Sequence, residues 1–262
     1  SKSPEHQAGL AEALMSLAQI AQKNGQLERA KQWLAQMPAG ADPIKLASRQ
    51  ADLLAQQGRM DEARNVLAQV KPANAEQAQR KILAQSYWLR EHREAQAAYT
   101  LVKTAWERQT DNSELLSELA LICEKLKRFD EMERLLRQLM AKAPQEAHAF
   151  NALGYSLADR NIRLDEARQL IEKAVQLSPQ DAYIQDSLAW VIFRQGQHQE
   201  ALRILQAAYK SKPDAEIAAH LGEVLWTLGQ TREAGTIWRE GLLLKADNET
   251  LVETLKRFNF KP

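Results

Sequence analysis

The chain has 262 residues, with 35 lysines and arginines against 34 aspartates and glutamates. That balance gives no overall electrostatic pull toward nucleic acid, which calls for a strongly basic face. No apolar run approaches the ~18–20 residues that cross a bilayer. The single cysteine, Cys123, can form neither an internal disulfide nor a zinc site. Few glycines and prolines among abundant Gln, Ala, Leu and Glu make a helix-forming composition.

In chain order, the opening SKSPEHQ is polar and reads as a frayed end. From Ala8 the spacing of Leu10, Leu14, Leu17 and Ala21 predicts a helix. Gly25 ends it, and Leu27, Ala30, Leu34 and Met37 share one face of a second helix closed by Pro38. The same grammar returns around Gly58 and Pro72, 33 residues on from Gly25 in the case of the glycine. A third unit carries Leu83 and Tyr87, then Ala95, Tyr99 and Val102, around a turn without glycine, and its second helix runs on through Trp106. The linker QTDNS suggests a boundary near 108–113. The fourth unit has Leu119, Ala120 and Cys123, then Met132, Leu136 and Leu139, and closes at Pro144.

Residues 147–213 are the best-formed pair of units. Pro179 and Pro213, Ala167 and Ala201, Ile171 and Leu205, and Ala174 and Ala208 are each 34 residues apart. A shared period of this kind means stacked helical hairpins, each burying its apolar face on its neighbours. The fifth unit has one extra residue in its turn, RNIRLDEA. A seventh unit turns at Gly229, and a last amphipathic helix over about 249–258 reads as a cap. Small residues mark close helix approach: Ala18, Ala51, Ala84, Ala120, Gly154, Ala189 and Gly222 in first helices, and Ala30, Ala63, Ala95, Ala167, Ala201 and Ala234 in second helices.

Phe150, Leu153, Gly154, Leu157, Ala167, Ile171, Ala174 and Pro179 together resemble the tetratricopeptide repeat (TPR), and Leu188, Ala189, Ile192, Ala201, Leu205, Ala208 and Pro213 match it again. Phe150 stands where the family signature usually has Trp, and Gln185 departs from it. The resemblance implies an all-α, right-handed superhelical solenoid of about seven such units plus a C-terminal capping helix. The expected organisation is 1–110 for three divergent units, 111–248 for four more, and 249–262 for cap and tail. The last third also resembles proteobacterial TPR lipoproteins tethered to the outer membrane. That implies a bacterial periplasmic location through a lipid anchor outside this chain, and an adaptor bringing a periplasmic protease to its substrates; the alternative location is cytoplasmic.

The family's first helices line a concave groove. Carrying its positions over nominates His148, Asn151, Tyr155, Tyr183, Asp186, Trp190, Phe193, Arg194, Glu223 and Trp226 as a peptide- or protein-binding surface, with Trp88 in the register of Phe193 and Trp226. Aromatic rings supply contact area at low entropy cost and polar groups set register. Trp33 and Trp238, on second helices, read as packing. Leu188, Ile192, Leu221 and Leu225 already occupy the inter-helix register, which leaves Trp190, Phe193 and Trp226 for a partner. The family's carboxylate clamp is not expected, because of its positions only Asn151 fits.

No phosphate-cradling glycine loop, HExxH or nucleophile elbow occurs. The five histidines are scattered, Cys123 sits at a core register, and His220 near the groove reads as a polar contact. The expectation is a non-catalytic scaffold without cofactor or metal, with a protein or peptide partner, no nucleic acid and no membrane span. The alternative is self-association through terminal helices, for which Leu251, Leu255 and Phe258 offer apolar surface.

Overall fold

The computed structural model describes residues 3–261, and every regular element among them is an α-helix. The chain divides at Lys127/Arg128 into two compact halves. The N-terminal half holds α1 (Pro4–Lys23), α2 (Leu27–Ala35), α3 (Pro43–Gln56), α4 (Met60–Gln69), α5 (Ala75–Glu91), α6 (Ala95–Arg108) and α7 (Ser113–Lys125). The C-terminal half holds α8 (Phe129–Lys142), α9 (Ala147–Asp159), α10 (Leu164–Leu177), α11 (Ala182–Arg194), α12 (His198–Ser211), α13 (Ala215–Thr227), α14 (Thr231–Leu244) and α15 (Glu249–Arg257). In each half, antiparallel hairpins stack so that a first helix packs on both helices of the preceding hairpin.

The division differs from the boundary expected at 110/111. The QTDNS linker is a capped turn. Asn112 accepts from the Leu115 N–H at 3.0 Å and donates to Gln79 on α5 at 2.6 Å. Farther along α7, Glu118 accepts from Arg90 and Ser86 of α5 at 2.9 and 2.6 Å. These bonds bind α7 to the hairpin before it. Of the opening segment read as frayed, Ser1 and Lys2 lie outside the described residues, and from Ser3 onward the reading is corrected. Ser3 caps α1 by accepting from the His6 N–H, and Pro4 sits in the first turn, where its missing N–H costs nothing.

Left-handed residues set the register of every hairpin. Gly25, Gly58, Gly196 and Gly229 have φ of 70°, 77°, 83° and 81°, and Arg93, Lys127 and Asn161 take the same role at 63°, 57° and 54°. The N–H after the turn residue bonds back to the helix, as in Gln26 to Ala21 at 2.8 Å and Glu94 to Leu89 at 2.8 Å. Counting from these residues moves the third hairpin's register. Its small buried positions are Ser86 and Ala98, not Ala84 and Ala95, which are only half-buried. The extra residue of the fifth hairpin is absorbed by Arg163, also left-handed at 47°. Its guanidinium then reaches Glu133 on α8 at 3.0 Å, and that bond, with Arg137, lowers the Glu133 pKa to about 2.

The close approaches are real. A Cβ on Gly154 would lie 2.6 Å from Ile171 Cγ1 and 2.9 Å from the Ala167 carbonyl, and one on Gly222 would overlap the Trp238 ring. Leu251 and Leu255 of α15 are buried and α15 packs on α13 and α14. Phe258 stacks obliquely on Trp226 and Trp238 at 5.8 and 5.5 Å. These three residues are therefore spent inside the chain, which corrects their reading as a self-association surface.

Candidate partner-binding faces

The first helices of the C-terminal half bring six residues of three hairpins together. His220 on α13 is fully buried, and its Nδ1 lies 2.9 Å from both carboxylate oxygens of Asp186 on α11. Its Nε2 lies 3.4 Å from the hydroxyl of Tyr155 on α9, two hairpins back. The Tyr155 hydroxyl also hydrogen-bonds the carboxyl of Glu216, one turn before His220. Burial pushes the Glu216 pKa up, with His220 opposing. For His220, burial alone would lower the pKa. The charge and hydrogen bond of Asp186 outweigh it, helped by Glu216 and Asp159, and raise it to about 8. The imidazolium thus donates from Nδ1 to Asp186 and from Nε2 toward Tyr155.

Trp190 stacks on this histidine at 4.2 Å and on Phe193 at 5.3 Å, with the Arg194 guanidinium 5.3 Å from its ring. It is 2% exposed, and Phe193 is buried as well. The expectation that these rings face outward is corrected. The next hairpin supplies His220 over Trp190, and His198 lies 5.0 Å from Phe193. Arg194 donates to the carbonyls of Ala158 and Asp159 at 3.1 and 2.7 Å, tying α11 to the end of α9.

The remaining nominated residues fall into two groups. Glu223 is buried and accepts two bonds from Arg257 on α15 at 2.7 and 2.6 Å, and half-buried Trp226 stacks on Trp238 at 5.4 Å. Both belong to the joint with the capping helix. His148 is exposed and 3.8 Å from Asp181, Asn151 is half-buried, and the Tyr183 hydroxyl donates to Asp214 at 3.1 Å beneath Lys212. These three stay on the accessible margin. Trp88 is buried among Ala47, Ala51, Ala63 and Leu67 and does not share the register of Phe193 and Trp226.

The N-terminal half carries a more open first-helix face that the sequence reading passed over. Six residues before the left-handed turn residue lie Asp52, Tyr87 and Leu121, in the register of Tyr155, Trp190 and Glu223. Tyr87 is 59% exposed, and Leu121 is exposed. Asp52 borders a cavity of about 410 Å³ between α1, α3 and α5, walled by Met15, Ile44, Leu83 and Ala84, the last two one turn before Tyr87 on α5, and rimmed by Ser48, Lys45, Arg49 and Arg80. Arg49 donates to Gln22 at 3.3 Å, and Arg80 is held by Asp42. Burial raises the Asp52 pKa, with Arg49 opposing. Tyr87 was legible only once Arg93 is recognised as the turn residue. Among the described residues no cluster of His, Cys, Asp and Glu is arranged to hold a metal ion, and no helix is long and apolar enough to cross a membrane.

The tetratricopeptide repeat family profile matches residues 3–254. The chain belongs to the tetratricopeptide repeat family. It is 36% identical over 211 residues to the TPR repeat-containing protein PA4667 of Pseudomonas aeruginosa, a match covering 80% of this chain. The match is 36% of that relative's length, so the chain spans about a third of it. Among solved structures, yeast Tom70 superposes with a TM-score of 0.69 at 18% identity over 99% of this TPR chain and 54% of Tom70. A tetratricopeptide repeat protein of Parabacteroides merdae gives 0.66 at 15% identity, covering 95% and 98%. At these identities the structural likeness speaks for the fold alone, an all-α TPR solenoid.

Proposed function

We propose that this TPR chain is a non-catalytic scaffold that binds a protein or peptide segment on its first-helix faces. The fold supports protein interaction in general. The observation that carries the specific reading is the open face of the N-terminal half, where Tyr87 stands exposed near the 410 Å³ cavity. Apolar walls with a mixed polar rim suit one apolar side chain and the backbone of an extended segment. In the C-terminal half, His148, Asn151 and Tyr183 offer a second, more polar margin over a fixed floor.

The test is a displayed random-peptide library selected on the purified chain. Enriched peptides should bind Tyr87→Ala at least ~10-fold more weakly while its melting temperature stays put. Peptides that bind Tyr87→Ala and wild type alike would remove the N-terminal face from the reading.

We extend this to an envelope adaptor, recruiting a periplasmic protease or its substrates at the outer membrane. The support is the likeness of the last third to outer-membrane TPR lipoproteins. Capture from matched envelope and cytosolic extracts tests it. Specific recovery only from the cytosolic sample would sink the adaptor role and leave the scaffold standing.

A further inference from the structure

Thirteen residues before the left-handed turn residue, α9 and α11 carry His148 and Tyr183 of the accessible margin. In the N-terminal half the same register holds Glu12, Lys45, Arg80 and Glu114, on α1, α3, α5 and α7, all exposed. Two cations stand in the middle with one acid at each end. Lys45 and Arg80 also rim the 410 Å³ cavity, and Arg49 joins them one turn along α3. Among the lining residues these three cations face one acid, Asp52. Arg80 is held by Asp42, whereas Lys45 makes no ion pair among the described residues. Arg49 is tied slackly. Its Nη1 lies 3.3 Å from Gln22 and 3.6 Å from Asp52, and its Nε is buried without an acceptor. Arg90, Arg194 and Arg257 are locked to neighbouring first helices at 2.9, 2.7 and 2.6 Å. Arg49 is the guanidinium with donors to spare.

We propose that the segment bound on this face carries one side-chain carboxylate beside an apolar residue. The apolar side chain fills the cavity, and the Asp or Glu is held by Arg49 and Lys45. This rests on the N-terminal face binding a peptide, and it names what that peptide must carry. Charge complementarity selects this partner. A neutral segment would cover the rim and leave its surplus positive charge unanswered. A run of acids would meet Glu12 on one side and Glu114 on the other. A single carboxylate at the centre avoids both, and a planar guanidinium can take it with two parallel bonds. The carboxylate belongs to a side chain rather than a chain end. Tyr87 lies one turn beyond Leu83 and Ala84, so a segment that fills the cavity and touches Tyr87 runs on past the basic rim.

The peptides enriched from the displayed library and weakened by Tyr87→Ala provide the test. They should share one Asp or Glu next to Leu, Ile, Met or Phe. Resynthesised and titrated by fluorescence anisotropy, they should bind the full chain equally well with a free or an amidated C-terminus. Replacing the shared acid by its amide should weaken binding to wild type ~10-fold. Arg49→Gln should weaken the acidic peptide ~5-fold and Lys45→Gln about 3-fold, while the amide peptide binds both variants as it binds wild type. Lys45 is exposed, so Lys45→Gln reads the same coupling should Arg49→Gln lower the melting temperature. Tyr87-dependent peptides that lack a carboxylate, or are indifferent to its neutralisation, would overturn this inference and leave the scaffold reading standing. Binding lost on amidation of the C-terminus would give the site to a chain end and overturn it as well. Peptides indifferent to Tyr87→Ala would remove the N-terminal face itself, and this inference with it.

Discussion

Six residues before the left-handed turn residue, the N-terminal half places Asp52, Tyr87 and Leu121, and the C-terminal half places Tyr155, Trp190 and Glu223. In the N-terminal half Tyr87 and Leu121 are exposed, and Asp52 borders a cavity. In the C-terminal half the same register is consumed. Tyr155 meets His220, Trp190 stacks on it, and Glu223 clamps Arg257. One position in one repeat can therefore serve a partner or serve the fold. What decides is whether the following hairpin sends back a group to cover it. The His220–Asp186 pair covers Trp190; nothing among the described residues does so for Tyr87, which has only the Arg90 guanidinium 5.9 Å over its ring.

The largest effect that would test this contrast is Trp190→Ala. It removes a buried ring from a three-hairpin joint and should cost roughly 3–5 kcal/mol in chemical denaturation. A cost near zero would return Trp190 to the groove.

Next comes the ion pair. Asp186→Asn leaves a buried histidine without its counter-charge and should cost about 3 kcal/mol. Wild type should also show the pair as a pH dependence. A histidine pKa raised from 6.5 to about 8 on folding contributes about 2 kcal/mol. That contribution is complete below pH ~6.5 and is lost as the pH rises through ~8. Denaturation midpoints at pH 6 and pH 9 should therefore differ in wild type and converge in Asp186→Asn. Equal pH slopes in the two proteins would deny the buried imidazolium.

The smallest effect belongs to the open face. Tyr87→Ala should change stability by less than about 0.5 kcal/mol, because an exposed ring gives up little packing.

The solenoid was legible in the sequence because its punctuation is chemical. Glycine at 25, 58, 196 and 229 supplies the left-handed turn, and proline at 38, 72, 144, 179 and 213 closes second helices. The third hairpin was misread by two and three residues because Arg93, a residue with no preference for that conformation, occupies the turn. That shift hid Ser86, Ala98 and the exposed register of Tyr87. The groove assignment failed at Trp190 for a different reason. Helical periodicity says which side of α11 a ring lies on, but not that a histidine 30 residues later lies over it. A trace was there, since Asp186 and His220 are 34 residues apart, one repeat period. Paired charges at the period of a stack are neighbours in space, and that signal would have found the cluster.

The contrast between the halves is tested most directly by calorimetry of Trp190→Ala and Tyr87→Ala side by side with wild type. The account predicts that Trp190→Ala melts roughly 6–12 °C lower while Tyr87→Ala stays within about 2 °C of wild type. Equal shifts in the two variants, or a larger one for Tyr87→Ala, would contradict it.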